Sequence, residues 1–245
     1  MATTTWERRT DQAYATTIGG KTNPTRRTAV LVGALFLVAT ATFFVSSVLI
    51  TPLMPLMGSP GDLTAVGKNS TLVVAAALLA LIDGLAVVGI AAALYPILSA
   101  RHPALAIAYA VMRIAELAII AAYVLSPLLL VSLSRSEAAA DSATAAAVLV
   151  ALRHWTLLFV YLFNGVAGLM LSYVLLRTRL VPRALSVLGL VGYAALFVGA
   201  ALDSLGFIDT AAGAGVVALV PGGLFELALP IWLFVRGFRP IESGR

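Results

Sequence analysis

The sequence predicts an all-α fold: a polytopic membrane protein with six transmembrane helices and both termini in the cytoplasm. Three observations predict it. The first is composition. Of 245 residues, 61% are apolar and only 11% charged, against about 25% charged in an ordinary soluble domain, and the mean hydropathy is +1.01. A soluble domain so poor in charge cannot cover its surface with polar atoms. The second is pattern: the apolar residues gather in six runs, each long enough for the roughly 20-residue crossing of a bilayer. The third is the placing of basic residues on alternate loops. Together these exclude a soluble enzyme, a disordered chain and a nucleic-acid-binding module, and the lipid bilayer becomes the one partner the composition demands. The net charge of +5 reports topology in such a protein.

Taken in order, residues 1–25 are polar and Thr-rich and read as a short disordered cytoplasmic tail. No apolar stretch follows their charged start, so they do not read as a cleavable signal peptide. Trp6 within this tail is expected to stay off the membrane interface. Residues 26–240 form one six-helix transmembrane domain, and 241–245 a second cytoplasmic tail. The runs fall at 28–50, 72–98, 104–133, 154–176, 184–207 and 213–236. Apolar residues go all round each run instead of forming one stripe, which fits a span and not a surface helix. Segment 51–70, rich in proline and glycine, reads as the longest loop, and Arg101-His102-Pro103 closes the second run. Segment 134–143 is a polar loop. RTRLVPR at 177–183 ends the fourth run, with Pro182 suited to starting the next. Segment 206–213 is short.

Counting loops alternately from the N-terminus tests this topology. One side collects Arg8, Arg9, Lys21, Arg26, Arg27, Arg101, Arg177, Arg179, Arg183, Arg236, Arg239 and Arg245, twelve basic residues in all. The other has Lys68 and Arg135, with Arg153 read at the mouth of the fourth helix. This bias predicts that both termini are cytoplasmic. Arginine far outnumbers lysine and alanine is abundant, which points to a GC-rich bacterial genome and hence to the bacterial cytoplasmic (inner) membrane. Small residues recur through the runs, among them Gly84, Gly89, Gly165, Gly168, Gly189 and Gly192. They let backbones approach where lipid supplies no hydrophobic drive between helices.

The informative residues are the ionisable ones at mid-membrane depth. Asp83 lies halfway along the second run, Arg113 and Glu116 in the middle third of the third, and Glu226 halfway along the sixth; Asn164 is near the middle of the fourth. A charge at a helix centre costs about 2.5–3.5 kcal/mol on insertion scales, so four cost on the order of 10–14 kcal/mol. They must therefore face the bundle interior and find partners. Arg113 and Glu116, three apart, share one helix face, and form either a local ion pair or links to other helices. Such a pair can serve merely to neutralise charge and fix helix register. Three carboxylates against one arginine leave two acids over. Asp83 and Glu226 are the candidates to stay protonated, lining a proton- or solute-binding site or simply hydrogen-bonded to neighbouring helices. An outer layer holds Arg153 and His154, read as opening the fourth helix, and Asp203, a candidate partner for Arg153. Trp155 and Trp232 read as interface residues. Glu116-Leu117-Ala118 recurs as Glu226-Leu227-Ala228, a short echo of the kind inverted-repeat transporters show.

Other chemistry is missing from the sequence. The chain has no cysteine, excluding disulfides and thiolate metal sites. No run contains lysine, which excludes a retinal Schiff base, and only His154 lies near a span, which excludes a bis-histidine haem. There is no HExxH, P-loop or GxSxG motif. Ser126 and Ser172 have no obvious histidine partner. No cofactor, no metal and no enzyme activity are expected.

Several segments resemble a bacterial family of integral membrane proteins known as the domain of unknown function numbered 4386. They are RRTAVLVGALFLV (26–38), GDLTAVGKNS (61–70), LYPILSARHPALAIAYAVMRIAE (94–116), LLRTRLVPRALSVLGLVGY (175–193) and FELALPIWLFVRGF (225–238). The resemblance implies a multi-span bacterial inner-membrane protein and carries no activity with it. It places Arg113, Glu116 and Glu226 inside the recognisable motifs. Three functions stay open: a small-solute or proton-linked transporter with a buried Asp/Glu/Arg cluster, a non-transporting membrane partner, assembly or stress-response protein, and a membrane-embedded lipid enzyme.

Overall fold

A chain that buries its backbone in hydrocarbon must satisfy every N–H and C=O internally, so the apolar runs become helices. The computed structural model describes residues 26–53, 63–136 and 143–239; both expected tails, Trp6 and residues 54–62 lie outside the described residues. The elements are α1 (Arg26–Ile50) with a 3-10 turn (Thr51–Leu53), α2 (Leu63–Lys68), α3 (Ser70–Ser99), α4 (Pro103–Ser134), α5 (Ala143–Thr178), α6 (Arg183–Ser204), a 3-10 segment (Gly213–Leu219) and α7 (Val220–Val235). Among the described residues there is no strand, and six helical stretches are long and apolar enough to cross a membrane.

The ends of the helices follow local chemistry. Pro103 opens α4 in the first turn, where its missing N–H is not needed. α6 stops at Gly206, whose φ of +77° lets the Phe207 N–H reach back to the Leu202 carbonyl at 2.9 Å.

Three features depart from the sequence reading. The fourth span begins at Ala143, not at 154. Arg153 and His154 therefore lie inside α5 and do not open it, because the Ala-rich stretch ahead of them is a strong helix former that the polar boundary obscured. The sixth span starts as a 3-10 segment and becomes α-helical only at Val220. The loop before α3 contains α2, which packs on α4 and buries Leu63 and Val66.

Each span packs against its neighbours in the chain, and α1 closes against α7. The result is a ring in the order α1, α3, α4, α5, α6, α7, in which α4 stands across from α7 and α3 across from α6. Glycines set the closest approaches. A Cβ on Gly168 would stand 2.2 Å from the Tyr193 ring, and one on Gly192 would stand 2.6 Å from the backbone of Gly222. These positions hold α5 to α6 and α6 to α7.

The first and last described segments meet at one end of the bundle. The Arg26 guanidinium donates to the carbonyls of Leu233, at 3.1 Å, and of Phe234. The Arg239 N–H donates to Leu180 O at 2.8 Å, bringing in the α5–α6 turn. This half is filled by a core to which all six spans contribute, including Phe36, Leu94, Tyr109, Leu171, Phe225 and Leu233. A smaller core at the far end joins Ile50, Val66, Val73, Leu130 and Ala146, and takes nothing from α6 or α7. Leu85, Ile114, Val191 and Ile231 on the outside are each more than half exposed, an apolar surface suited to lipid.

Candidate functional site

Of the five mid-membrane candidates, Asp83, Arg113 and Glu116 are buried and Asn164 and Glu226 half-buried, among apolar neighbours that leave polar side chains to find one another. Arg113 is 1% and Glu116 2% exposed. Arg113 Nη1 donates to Glu116 Oε2 at 2.7 Å and to Asn164 Oδ1 at 2.9 Å. Its Nε donates to the Tyr109 hydroxyl at 3.3 Å, with the guanidinium 5.3 Å from the Tyr109 ring centroid. The pair is thus local, on one face of α4, and Asn164 ties it to α5. A buried charge held by an acid, an amide and an aromatic face is satisfied where it stands.

Glu226 lies across the ring. Its Oε1 accepts from the Tyr193 hydroxyl at 3.1 Å and its Oε2 from Thr40 Oγ1 at 3.2 Å. Both partners are neutral. Asp83 on α3 is 8% exposed and makes no hydrogen bond among the described residues. The two acids left over by charge counting are therefore the two that have no ion-pair partner among the described residues.

All five residues line one cavity of about 340 Å³ at the centre of the ring. Every span contributes to its wall: Phe36 and Phe43 from α1, Val87 and Ile90 from α3, Val160 and Tyr161 from α5, Leu196 from α6, and Gly222 and Gly223 from α7, with α4 supplying Arg113 and Glu116. The apolar core at the termini end closes the cavity on that side. The repeated Glu-Leu-Ala places Glu116 and Glu226 on opposite helices of the ring. Three residues before each stand Arg113 and Gly223, so the arginine has no counterpart, and the space beside Gly223 is open.

The outer-layer candidates lie elsewhere and do not line the cavity. Arg153 is 6% exposed; its guanidinium sits 4.1 Å from the centroid of the Tyr123 ring and hydrogen-bonds the Tyr123 hydroxyl. Asp203 accepts from Thr210 N at 2.7 Å and Thr210 Oγ1 at 2.6 Å, stapling the α6–α7 connection. His154 is half exposed and stands 4.0 Å from Asp203 Oδ1. Trp155 is exposed, whereas the Trp232 indole N–H is buried and Arg239 lies over its ring.

Sequence reasoning missed the hydroxyl donors. Thr40 and Tyr193 decide the surroundings of Glu226, yet each is one polar atom in an apolar run. The available signal for Tyr193 was its buried aromatic hydroxyl, which needs a partner in hydrocarbon. Of the serines considered as nucleophiles, Ser126 Oγ donates to Leu149 O at 2.5 Å, and Ser172 Oγ is buried without a partner among the described residues. Among these residues no group of three or more His, Asp or Glu is placed to hold a metal ion.

A ring of six apolar helices around a cavity with ionisable residues defines a multi-pass membrane protein. The family model described as Domain of unknown function (DUF4386) matches residues 31–237, from α1 to the end of α7, so the chain belongs to that family. The comparisons with curated proteins and with solved structures return no match.

Proposed function

We propose that this protein is a small-solute transporter of the bacterial cytoplasmic membrane, proton-linked through Asp83 and Glu226. The observation that carries the reading is a single one. Two carboxyl groups with no ion-pair partner among the described residues face a cavity to which all six spans contribute and which is closed on one side. An ionised carboxylate without a partner is costly in such surroundings. Asp83, buried and without a hydrogen bond among the described residues, therefore requires either a proton or a cationic solute, with the Glu226 carboxyl lining the same cavity, and exchanging one for the other is the elementary step of proton-coupled movement. The step balances without a covalent change: a cation enters, a proton leaves to water, and the charge of the site is preserved.

In this reading Arg113, Glu116 and Asn164 are the frame. Arg113 and Glu116 neutralise one another and Asn164 accepts from the guanidinium, so they hold α4 and α5 in register and set the field at the cavity wall. Tyr193 and Thr40 orient the Glu226 carboxyl. No bond-making chemistry is assigned to any residue. The basic bias of the loops supports termini on the cytoplasmic side.

Reconstitution of the full chain into liposomes with a trapped pH-sensitive dye tests the reading. Addition of a transported solute from a panel of cations and neutral solutes moves protons in the wild type and not in Asp83→Asn. Absence of both solute flux and proton movement across the panel would contradict it.

A further inference from the structure

The mouth of the cavity says more about the ligand than its floor. Exposure of the lining rises in one direction: Phe36, Ile90 and Val160 are buried, Thr40, Phe43, Leu219 and Gly223 are half-buried, and Phe44 is 67% exposed. That direction is the seam between α1 and α7. The two helices are tied at the termini end by Arg26 and by Gly33 against Phe234. Toward the far end the seam opens, because the 3-10 segment that precedes α7 packs on α6 and α7. Apart from its chain neighbours and its own helix backbone, no atom lies within 4 Å of a Cβ built on Gly223.

This opening faces lipid. Phe44 is 18 residues along from Arg26 and Gly223 is 12 residues from Val235, about 27 Å and 18 Å along their helices at roughly 1.5 Å per residue. Both depths lie inside a hydrocarbon layer about 30 Å thick. The flanks at that level are apolar and exposed: Val45 on α1, Val217, Val220 and Leu224 on the other side. A mouth with such flanks admits molecules from the bilayer, and its interior asks for positive charge at Asp83 and Glu226 and for apolar bulk against Phe36, Phe43 and Val87.

We propose that the ligand is a lipophilic organic cation, an amine or quaternary ammonium on a small apolar body, which enters laterally from the bilayer through the α1–α7 seam. The volume of about 340 Å³ is at the low end of the roughly 300–1,000 Å³ typical of small-molecule sites, which fits the ammonium head and part of a short chain. This inference rests on the reading of the cavity as the solute site and specifies what that site takes and from where.

Binding of tritiated octyltrimethylammonium to the full chain in nanodiscs of zwitterionic lipid tests it. Wild-type protein binds saturably, tetramethylammonium competes at least about tenfold more weakly than unlabelled probe, and Asp83→Asn loses about tenfold or more in affinity. Gly223→Leu, whose side chain enters open space, slows association about tenfold, and Phe44→Ala, which removes an exposed ring, speeds release. Gly223→Leu protein that elutes and melts like the wild type but binds at an unchanged rate overturns the lateral route. Wild-type protein that moves protons with another solute yet binds no probe overturns the ligand class and leaves the transport reading intact. Loss of probe binding together with all solute-driven proton movement removes both.

Discussion

At the scale of single residues the division between frame and site can be measured. Arg113→Ala leaves Glu116 as a buried carboxylate and strips Asn164 of its donor. It should cost about 3–5 kcal/mol, and replacing the pair together by Met and Leu should recover most of that. Unfolding of purified protein by titration with SDS measures both. Glu226→Gln behaves differently. The amide oxygen can still accept from Tyr193 or Thr40, so the loss of stability stays within about 1 kcal/mol, while solute-driven proton movement falls. The Arg113–Glu116 pair was legible in the sequence because a spacing of three on a helix fixes a shared face. The leftover acids followed from counting charge. The neutral hydroxyls beside Glu226 were not legible, because they come from two helices whose contact depends on how the ring closes. The reading of Arg153 and His154 as a helix mouth failed for a local reason: a polar boundary in the sequence did not end the helix that crosses it.

At the scale of elements the glycine contacts make sharp contrasts. Gly168→Ala pushes a methyl group into a Tyr193 ring that is also bound to Glu226 and stacked edge-on against Phe225. It should destabilise the protein by about 1–3 kcal/mol and disturb Glu226 as well, whereas Gly223→Ala should be close to neutral in the same SDS titration. Asp203→Ala removes the acceptor for two Thr210 donors and should cost about 1–3 kcal/mol, seen as earlier proteolysis in the α6–α7 connection. Small residues in the runs announced close packing in general. Which glycine meets which ring was hidden, since every run is apolar on all sides and no stripe marks the contact face. The 3-10 start of the sixth span was hidden too, because its composition continues that of the helix behind it.

At the scale of the whole molecule, six spans were readable from hydropathy and the even count from the basic loops. Closure of α1 onto α7 was not, because a chain of neighbours can end open or joined, and only packing decides. That closure creates the central cavity, and its incompleteness at the far end creates the mouth. Reporter fusions at each terminus in a bacterial host should both read cytoplasmic, as twelve basic residues on one side require. The central claim is that Asp83, with the Glu226 carboxyl on the same cavity, holds either a proton or a cation at the middle of the bundle. Dye-loaded proteoliposomes challenged with a panel of cations, a small lipophilic amine among them, test it most directly. The account predicts cation-driven proton movement in the wild type that is lost in Asp83→Asn and reduced in Glu226→Gln. Wild-type proteoliposomes indistinguishable from empty liposomes, or a double variant as active as the wild type, would contradict it.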